Sequence, residues 1–304
     1  MIGTGQDWET YWEGRKSDQT GALTGIEHDR ELKAFWSRVL DPLPRTLVCA
    51  DLACGAGTVL KTVHQLGFTH LTGIDVSESA LQTLKQSLPE VQTCVSSISD
   101  LPYQAAHFDL MTSQFGLEYA GAKAACEESA RVLRPGGRFI AVMHMTEGAI
   151  HEEVSQHAQM CAQIRESDFI NLSLDFFAAA YAGDQTQATA TLDRLIPARD
   201  QVTALVKPSQ ASFAAHLLQG AAQLWERRAH YALSDISGWF EGMQAELTAY
   251  EGRMTSMLKA SQSAAEMATL VAAFRQQGVQ AENPNPLKLG GKTAAWVLQA
   301  ERPG

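Results

Sequence analysis

Short apolar runs alternate with helical stretches between residues 43 and 141, and this alternation constrains the fold more than any other feature. Five runs predict strands: TLVCADLA, HLTGIDV, VQTCVSS, FDLMTSQF and GRFIAVMHM. The segments GTVLKTVHQLG, SESALQTLKQSL and AKAACEESARVLR predict helices, the first ended by Gly67 and the second N-capped by Ser77. Because strands and helices alternate, we expect an α/β fold with a mostly parallel sheet and helices on both faces.

The composition changes after Met145. Residues 146–260 are rich in Ala, Gln, Leu and Met and predict successive helices, after which the helix SAAEMATLVAAFRQQG and the strands VQAENPNPLKL and AAWVLQAER resume the αβ pattern. We therefore expect an N-terminal helical cap at 1–42, an αβ domain made of 43–145 and 261–304, and a helical insertion at 146–260 between strand 5 and the last helix. The insertion is expected at the carboxyl-end rim of the sheet, as a lid, an acceptor pocket or a homodimer interface.

Net charge and cysteine content indicate which partners and which cellular compartment to expect. The formal net charge of −10 repels phosphate backbones, so we expect no nucleic-acid partner. The 5 cysteines form no CxxC pair, which is typical of reduced thiols in a cytoplasmic protein. The N-terminal residues lack the pattern of a secretory signal, and no apolar run is long enough to span a bilayer, so we expect no membrane partner.

The stretch DLACGAGTVL, residues 51–60, predicts a ligand-binding turn between a strand and a helix. Gly55 and Gly57 allow the backbone to approach a ligand closely, and Asp75 ends the next strand, where a carboxylate can accept both hydroxyls of a ribose. A dinucleotide site would need a third glycine where this chain has Leu60. The acidic Asp51 suits a cationic amino group better than a pyrophosphate. The turn therefore favours a nucleoside cofactor with an α-amino group over NAD.

Four segments in order resemble the successive motifs of class I S-adenosylmethionine-dependent methyltransferases: LVCADLACGAGT, LTGIDVSESAL, ISDLPYQAAHFDLMTSQFGLEY and RVLRPGGRFI. The ending AAWVLQAERP resembles the last strand of their seven-stranded, Rossmann-like sheet. The resemblance covers about residues 43–145 and 262–301 and does not reach a substrate subfamily. It implies S-adenosylmethionine as the cofactor and S-adenosylhomocysteine as the product.

Carried over by position, the resemblance implies a cofactor pocket built from the loops that follow the strands. Its methionine side would consist of Asp51, Ala53, Gly55, Gly57 and Gln114, with Asp51 near the amino group. Asp75 would hold the ribose hydroxyls, and Val76 would pack on the adenine. Many members carry an acidic residue four positions before the Leu-Pro of DLPY; this chain has Ser97 there, so Ser97 and the backbone of Ile98 are the candidates for the adenine amino group.

Methyl transfer from a sulfonium is an in-line displacement that depends mainly on alignment, and a base matters only when the acceptor must lose a proton. Glu118 and His144, which follow strands 4 and 5, are the candidates for proton removal or acceptor orientation. Each also has a structural alternative. Glu118 could belong to a turn at the rim of the sheet that fixes the next helix, and His144 could be a strand-end histidine hydrogen-bonded to the backbone. Tyr11, Trp12 and Tyr119 are candidate acceptor or lid contacts, although Trp12 and Trp8 equally suit a docking stripe on a helix.

No metal site is expected, because His144, His151 and His157 are seven and six residues apart and do not have the i and i+4 spacing of a helical metal-binding pair. The favoured hypothesis is an enzyme that methylates an oxygen or nitrogen of a small-molecule acceptor. Two alternatives stay open: a non-catalytic module that binds S-adenosylmethionine, and an NAD(P)-dependent oxidoreductase on the same kind of sheet. Measuring methyl transfer distinguishes the non-catalytic module from the enzyme, and measuring which cofactor binds distinguishes the oxidoreductase from the methyltransferase.

Overall fold

The computed structural model describes residues 25–206 and 212–304, and the chain divides into two compact units. Residues up to 152 together with 256–304 form the sheet unit, and residues 153–255 form the helical unit. The helical unit falls inside the insertion predicted at 146–260. Its function as a lid, acceptor pocket or dimer interface stays a prediction. Tyr11, Trp12 and most of the predicted N-terminal cap lie outside the described residues.

The sheet unit is built on one mixed sheet. Its strands are β1 (Val48–Leu52), β2 (His70–Asp75), β3 (Gln92–Val95), β4 (Phe108–Gln114), β5 (Leu133–His144), β6 (Gln280–Ala281), β7 (Asn285–Leu289) and β8 (Lys292–Glu301). The order is β3-β2-β1-β4-β5-β8-β6, with β7 also paired to β8. Strands β1 to β5 are parallel and β8 runs antiparallel to β5, which confirms the predicted mostly parallel sheet. The strand order reverses between β1 and β4, where open sheets of this kind bind their ligands.

Helices flank this sheet and form most of the rest of the chain. They are α1 (Gly25–Leu40), α2 (Thr58–Gln65), α3 (Glu78–Ser87), α4 (Ala122–Val132), α5 (Ala149–Glu166), α6 (Phe169–Ala182), α7 (Gln185–Ala204), α8 (Phe213–Glu226), α9 (Leu233–Ala260) and α10 (Ala264–Gln276). Helix α4 packs against α10, and α1 packs against α2. The Ser77 hydroxyl caps α3 by accepting the N–H of Ala80, and Gly67 follows α2 with φ 92°, as predicted.

Two elements differ from their predicted limits because of proline. The single strand predicted over VQAENPNPLKL is two short strands, β6 and β7, which occupy one edge of β8 end to end. Pro284 lies between them and has no N–H to continue the ladder. The helix predicted to reach Arg134 ends at Val132, because a residue before proline disfavours the helical conformation. Strand β5 therefore starts at Leu133, which pairs with Phe108.

Leu60 is almost fully buried, and a glycine in β2 makes room for it. A methyl group added to Gly73 would lie 3.0 Å from Leu60 Cδ1, 2.9 Å from Cys54 Sγ and 2.6 Å from Leu84 Cδ2. The bulky side chain at position 60 is thus accommodated because the facing strand position has no side chain. This packing explains how α2 lies close to the sheet without the third glycine of a dinucleotide site.

We expect the Gly73→Ala substitution to destabilise the protein by about 1–3 kcal/mol, because the added methyl overpacks a filled contact. The measurement is urea denaturation followed by circular dichroism. Gly242→Ala is the matched control: nothing lies within 4 Å of the added methyl, and the position is inside α9. That variant should gain on the order of 0.5–1 kcal/mol. Equal stability of the two variants would contradict the packing assigned to Leu60.

The helical unit has its own apolar core, to which α5 to α9 contribute. Phe169, Phe177 and Phe240 are buried in this core, where they serve as packing residues. Within the part of the chain that the structure describes, no helix is long and apolar enough to cross a membrane.

Candidate active site

The loop after β1 has a strongly constrained backbone. Ala53, Gly55 and Gly57 have φ values of 51°, 52° and 81°, so three residues of this short loop adopt the left-handed conformation. A methyl group on Gly57 would approach Leu84 Cδ1 to 2.4 Å, which excludes a side chain there. The N–H of Gly55 donates to Asp75 Oδ2 at 2.8 Å, which ties the loop to the end of β2. These contacts hold the loop in this conformation and join it to β2.

Asp51 is a buried carboxyl at the junction of β1 and β4. It pairs in register with Thr112, whose hydroxyl donates to Asp51 Oδ1 at 2.8 Å. Burial raises the pKa of Asp51 to about 7, the Thr112 hydrogen bond lowers that pKa, and the nearby Asp75 raises it. A cation beside Asp51 would favour its ionised form. The position fits the predicted binding of an ammonium group, which stays a prediction.

Asp75 ends β2 and is almost fully buried. Its Oδ2 accepts the Gly55 N–H, and its Oδ1 accepts the Ser77 N–H at 2.9 Å. The hydrogen bonds to two ribose hydroxyls that the sequence assigns to Asp75 stay a prediction. Val76, the next residue, is 41% exposed, unlike most large apolar side chains of the sheet unit. An exposed valine beside Asp75 is compatible with the predicted packing on adenine, which stays a prediction.

The segment after β3 contains Ser97, the polar residue that stands where many methyltransferases carry an acidic one. The Ser97 hydroxyl lies 2.8 Å from the Ser99 hydroxyl, and the Ser99 N–H also donates to Ser97 Oγ at 3.3 Å. The Ile98 side chain is buried in the core of the sheet unit. Only the backbone of Ile98 can therefore face a ligand, and its contact with the adenine amino group stays a prediction.

Phe115 and Gly116, which the sequence analysis did not name, form a turn directly after β4. Phe115 has φ 51°, which is strained for a bulky residue, and its N–H donates to the Val142 carbonyl at 2.8 Å. A methyl group on the following Gly116 would lie 2.5 Å from Ala53 Cβ. This turn therefore lies directly against the loop after β1. Gln114, just before it, accepts a hydrogen bond from the Trp36 indole at 2.6 Å.

Glu118 is a buried carboxyl on a short 3₁₀ turn, Leu117–Ala120. Its Oε1 accepts the backbone N–H of His144 at 2.8 Å, which joins this turn to the end of β5. Among the described residues, its Oε2 has no hydrogen-bond partner although it is buried. Burial raises the pKa of Glu118 to about 7. A carboxyl group with that pKa and one unpaired oxygen suits general base chemistry near neutral pH.

His144 differs from its prediction in one respect. A histidine at a strand end is expected to have a pKa near neutrality, but burial, together with a smaller effect of the charge of His151, lowers the pKa of His144 to about 3. The imidazole stacks on the Phe115 ring at 4.4 Å and meets the Tyr119 ring edge-on at 5.9 Å. Its Nε2 has no hydrogen-bond partner among the described residues. His144 is therefore suited to orient an acceptor as a neutral ring and not to remove a proton as a strong base.

His151 and His157, for which no shared metal site was expected, have separate hydrogen-bond partners. His151 Nδ1 lies 3.1 Å from the Ser261 hydroxyl, and His157 Nδ1 lies 3.0 Å from the Tyr250 hydroxyl. Across residues 25–206 and 212–304, no group of three or more His, Cys, Asp or Glu side chains could hold a metal ion.

The comparisons with known proteins agree with this arrangement. Residues 50–141 match the family model described as a methyltransferase domain. The chain is 29% identical over 127 residues to a demethylmenaquinone methyltransferase of Clavibacter sepedonicus, covering 40% of this chain and 51% of that protein. It is 27% identical over 183 residues to a malonyl-[acyl-carrier protein] O-methyltransferase of Herminiimonas arsenicoxydans, covering 57% and 66%. The chain spans about half the length of the first of these relatives.

One solved structure resembles the chain over nearly its whole length. It is the methyltransferase in a complex with the Trm112 methyltransferase activator of Haloferax volcanii, with a TM-score of 0.52. The alignment covers 99% of this chain and 98% of that one at 13% identity. At that identity the likeness supports the fold alone.

Proposed function

The chain carries a class I S-adenosylmethionine-dependent methyltransferase domain, and we propose that it methylates an oxygen or nitrogen of a small-molecule acceptor. The observation that carries the proposal is the presence of two buried carboxyls at the carboxyl ends of the neighbouring strands β1 and β4. Asp51 lies at the end of β1, where it suits a cationic amino group, and Glu118 lies after β4 with one unpaired oxygen. The first group recognises the cofactor, and the second serves the acceptor.

The cofactor side is proposed to consist of the loop after β1 and the ends of β2, β3 and β4. Asp51 is assigned to the amino group, Asp75 to the ribose hydroxyls, and Val76 with Ser97 to the adenine. The buried Asp51 carboxyl suits a charged amino group and would repel a phosphate. The cofactor supplies an electrophilic methyl group on a sulfonium; the residues named here bind and align it.

A dinucleotide cofactor is disfavoured by two features of the same loop. Leu60 fills the space in which a third glycine would allow close packing around a pyrophosphate. Asp51 places a carboxyl where a pyrophosphate would need neutral or cationic neighbours. These features argue against the NAD(P)-dependent alternative.

Glu118 is the proposed base for an acceptor that must lose a proton. Its raised pKa keeps the carboxyl partly protonated near neutrality, and Oε2 is left to accept a proton from the acceptor. His144 is proposed to orient the acceptor as a neutral ring, beside Tyr119 and Phe115. Several relatives are quinone methyltransferases, and some of these are named C-methyltransferases, so a ring carbon activated by a neighbouring hydroxyl is a second candidate. The same base would serve it.

The setting proposed for this activity is the cytoplasm. The cysteines Cys49, Cys54, Cys94, Cys126 and Cys161 are all free in the structure. Free thiols are typical of reducing compartments. We propose that the partner is a small molecule and not a nucleic acid, given the net charge of −10.

Isothermal titration calorimetry with S-adenosylmethionine, S-adenosylhomocysteine and NAD in parallel tests the proposal. We expect binding of the first two and no detectable binding of NAD. Tight binding of NAD alone would overturn the proposed function. A screen of phenols, alcohols, amines and quinols for methyl transfer then identifies the acceptor, and binding without turnover of any class would favour the non-catalytic module.

A further inference from the structure

A buried tryptophan contacts the side chain of Gln114 from a distant part of the chain. Trp36 lies in α1 and is 1% exposed. Its indole Nε1 donates to Gln114 Oε1 at 2.6 Å, across 78 residues of sequence. A hydrogen bond this short, made by a side chain with almost no contact with solvent, fixes the position of the amide.

The chemistry of the two groups also fixes which way the amide points. An indole N–H can only donate, so the amide atom that meets it must be the oxygen. The NH₂ group of Gln114 is consequently turned away from Trp36. Among the residues that the structure describes, no acceptor is hydrogen-bonded to that NH₂ group. Gln114 therefore offers two donor hydrogens that the surrounding protein does not use.

The position of Gln114 defines what those hydrogens can meet. Gln114 ends β4, two residues after Thr112, which pairs with Asp51 of β1. The next turn lies against Ala53, because a methyl on Gly116 would contact Ala53 Cβ at 2.5 Å. Strands β1 and β4 flank the point at which the strand order reverses. The amide therefore lies at the same end of the sheet as the carboxyl of Asp51, on the neighbouring strand.

We propose that Trp36 is a positioning residue that orients the Gln114 amide to donate to the carboxylate of the cofactor's amino-acid portion. This inference rests on the proposed function. An α-amino acid carries one cation and one anion close together. The end of β1 then supplies the acceptor for the ammonium group, through Asp51, and the end of β4 supplies the donor for the carboxylate, through Gln114. Trp36 acts on the cofactor only through that amide.

Two ligands separate this role from simple packing. S-adenosylhomocysteine carries the amino-acid portion, and 5′-methylthioadenosine lacks it. Calorimetry of Trp36→Phe should show about five- to tenfold weaker binding of S-adenosylhomocysteine, the effect of losing one oriented hydrogen bond. Binding of 5′-methylthioadenosine should change less than about twofold. Gln114→Glu can still accept from Trp36 but cannot donate, and its like charge should weaken S-adenosylhomocysteine binding more than about tenfold.

A double-mutant cycle and a neighbouring residue supply the controls. Trp36→Phe should add nothing in a Gln114→Ala background, because the amide that it orients is gone. Phe35→Leu changes a buried aromatic ring on the same helix, 5.3 Å from the Trp36 ring, and should leave the ratio of the two affinities unchanged. All variants are compared by thermal melting to verify folding.

The outcomes separate this inference from the proposed function. Equal weakening of both ligands in Trp36→Phe, or no weakening of either, would overturn the positioning role while the proposed function stands. Wild-type protein that binds neither ligand would overturn both. A Trp36→Phe variant too unstable to assay is replaced by Gln114→Glu, for which unchanged S-adenosylhomocysteine binding overturns the inference.

Discussion

Asp51→Asn is expected to weaken S-adenosylmethionine binding by at least about 30-fold, because it removes one partner of a buried charge pair, a loss of roughly 2–5 kcal/mol. The variant keeps the shape of the side chain and an oxygen that can accept the Thr112 hydrogen bond. The lost affinity therefore reports the charge and not the packing. The measurement is calorimetry at pH 7.5.

The pH dependence of the same binding gives a sharper test. Free Asp51 has a pKa raised to about 7 by burial, so it must lose a proton before it can pair with an ammonium group. Affinity should therefore rise with pH up to about 7, by close to tenfold per unit at the acid end. It should fall again above about pH 8, as the α-amino group of the ligand loses its own proton. The acid limb should disappear in Asp51→Asn.

Two variants control this experiment. Asp41→Asn removes a carboxylate that is 68% exposed in the same unit, and its affinity and pH profile should match the wild type. Thr112→Val removes the hydroxyl that lowers the pKa of Asp51, so its acid limb should move to higher pH. An acid limb that persists unchanged in Asp51→Asn would assign the titration to another group.

The parts of this site that sequence reasoning found are those that depend on local position. Asp51 and Asp75 lie at the ends of strands and Gly55 follows one, and parallel strands bring their carboxyl ends to one edge of the sheet. Ser77 likewise caps the helix that it precedes. Strand periodicity and turn residues are short-range signals, so these positions could be predicted from the chain alone.

The parts that it missed depend on contacts between distant residues. The Trp36 bond to Gln114 spans 78 residues, and the Glu118 bond to the His144 N–H spans 26. No local pattern indicates which side chains such bonds bring together. The expected pKa of His144 was wrong for the same reason, because a histidine at a strand end has an ordinary pKa unless distant residues bury it. Phe115 stacks on that histidine and has a left-handed backbone conformation. Phenylalanine has no preference for turns, so the sequence does not indicate this conformation.

The second large effect is expected at Glu118. Glu118→Gln should lower kcat/KM for the acceptor identified by screening by about 10²–10⁴-fold, the usual contribution of a positioned base. Binding of S-adenosylmethionine should stay within about twofold of the wild type, because the amide oxygen can still accept the His144 N–H. The wild-type rate should rise with pH through about 7, where Glu118 ionises. His144→Asn should keep this rise, because a histidine with a pKa of about 3 does not titrate there.

Stability gives an independent measurement of the same carboxyl, and it needs no acceptor. The pKa of Glu118 is raised on folding from its ordinary value of 4.5 to about 7, so the folded state holds this proton more tightly than the unfolded state. The stabilisation from that proton is complete below about pH 4.5 and is lost as pH rises through about 7, a loss of about 3 kcal/mol. Glu118→Gln avoids this loss.

The variant should therefore gain stability relative to the wild type between pH 5 and pH 8, measured by urea denaturation at each pH. Glu90→Gln, at an exposed carboxyl of the sheet unit, should show no such trend. A constant stability difference between Glu118→Gln and the wild type across this range would show that Glu118 ionises normally, and it would remove the basis for its assignment as the base. A catalytic carboxyl kept partly protonated near neutrality must cost the fold stability where it ionises, so activity and instability should rise together over the same pH range.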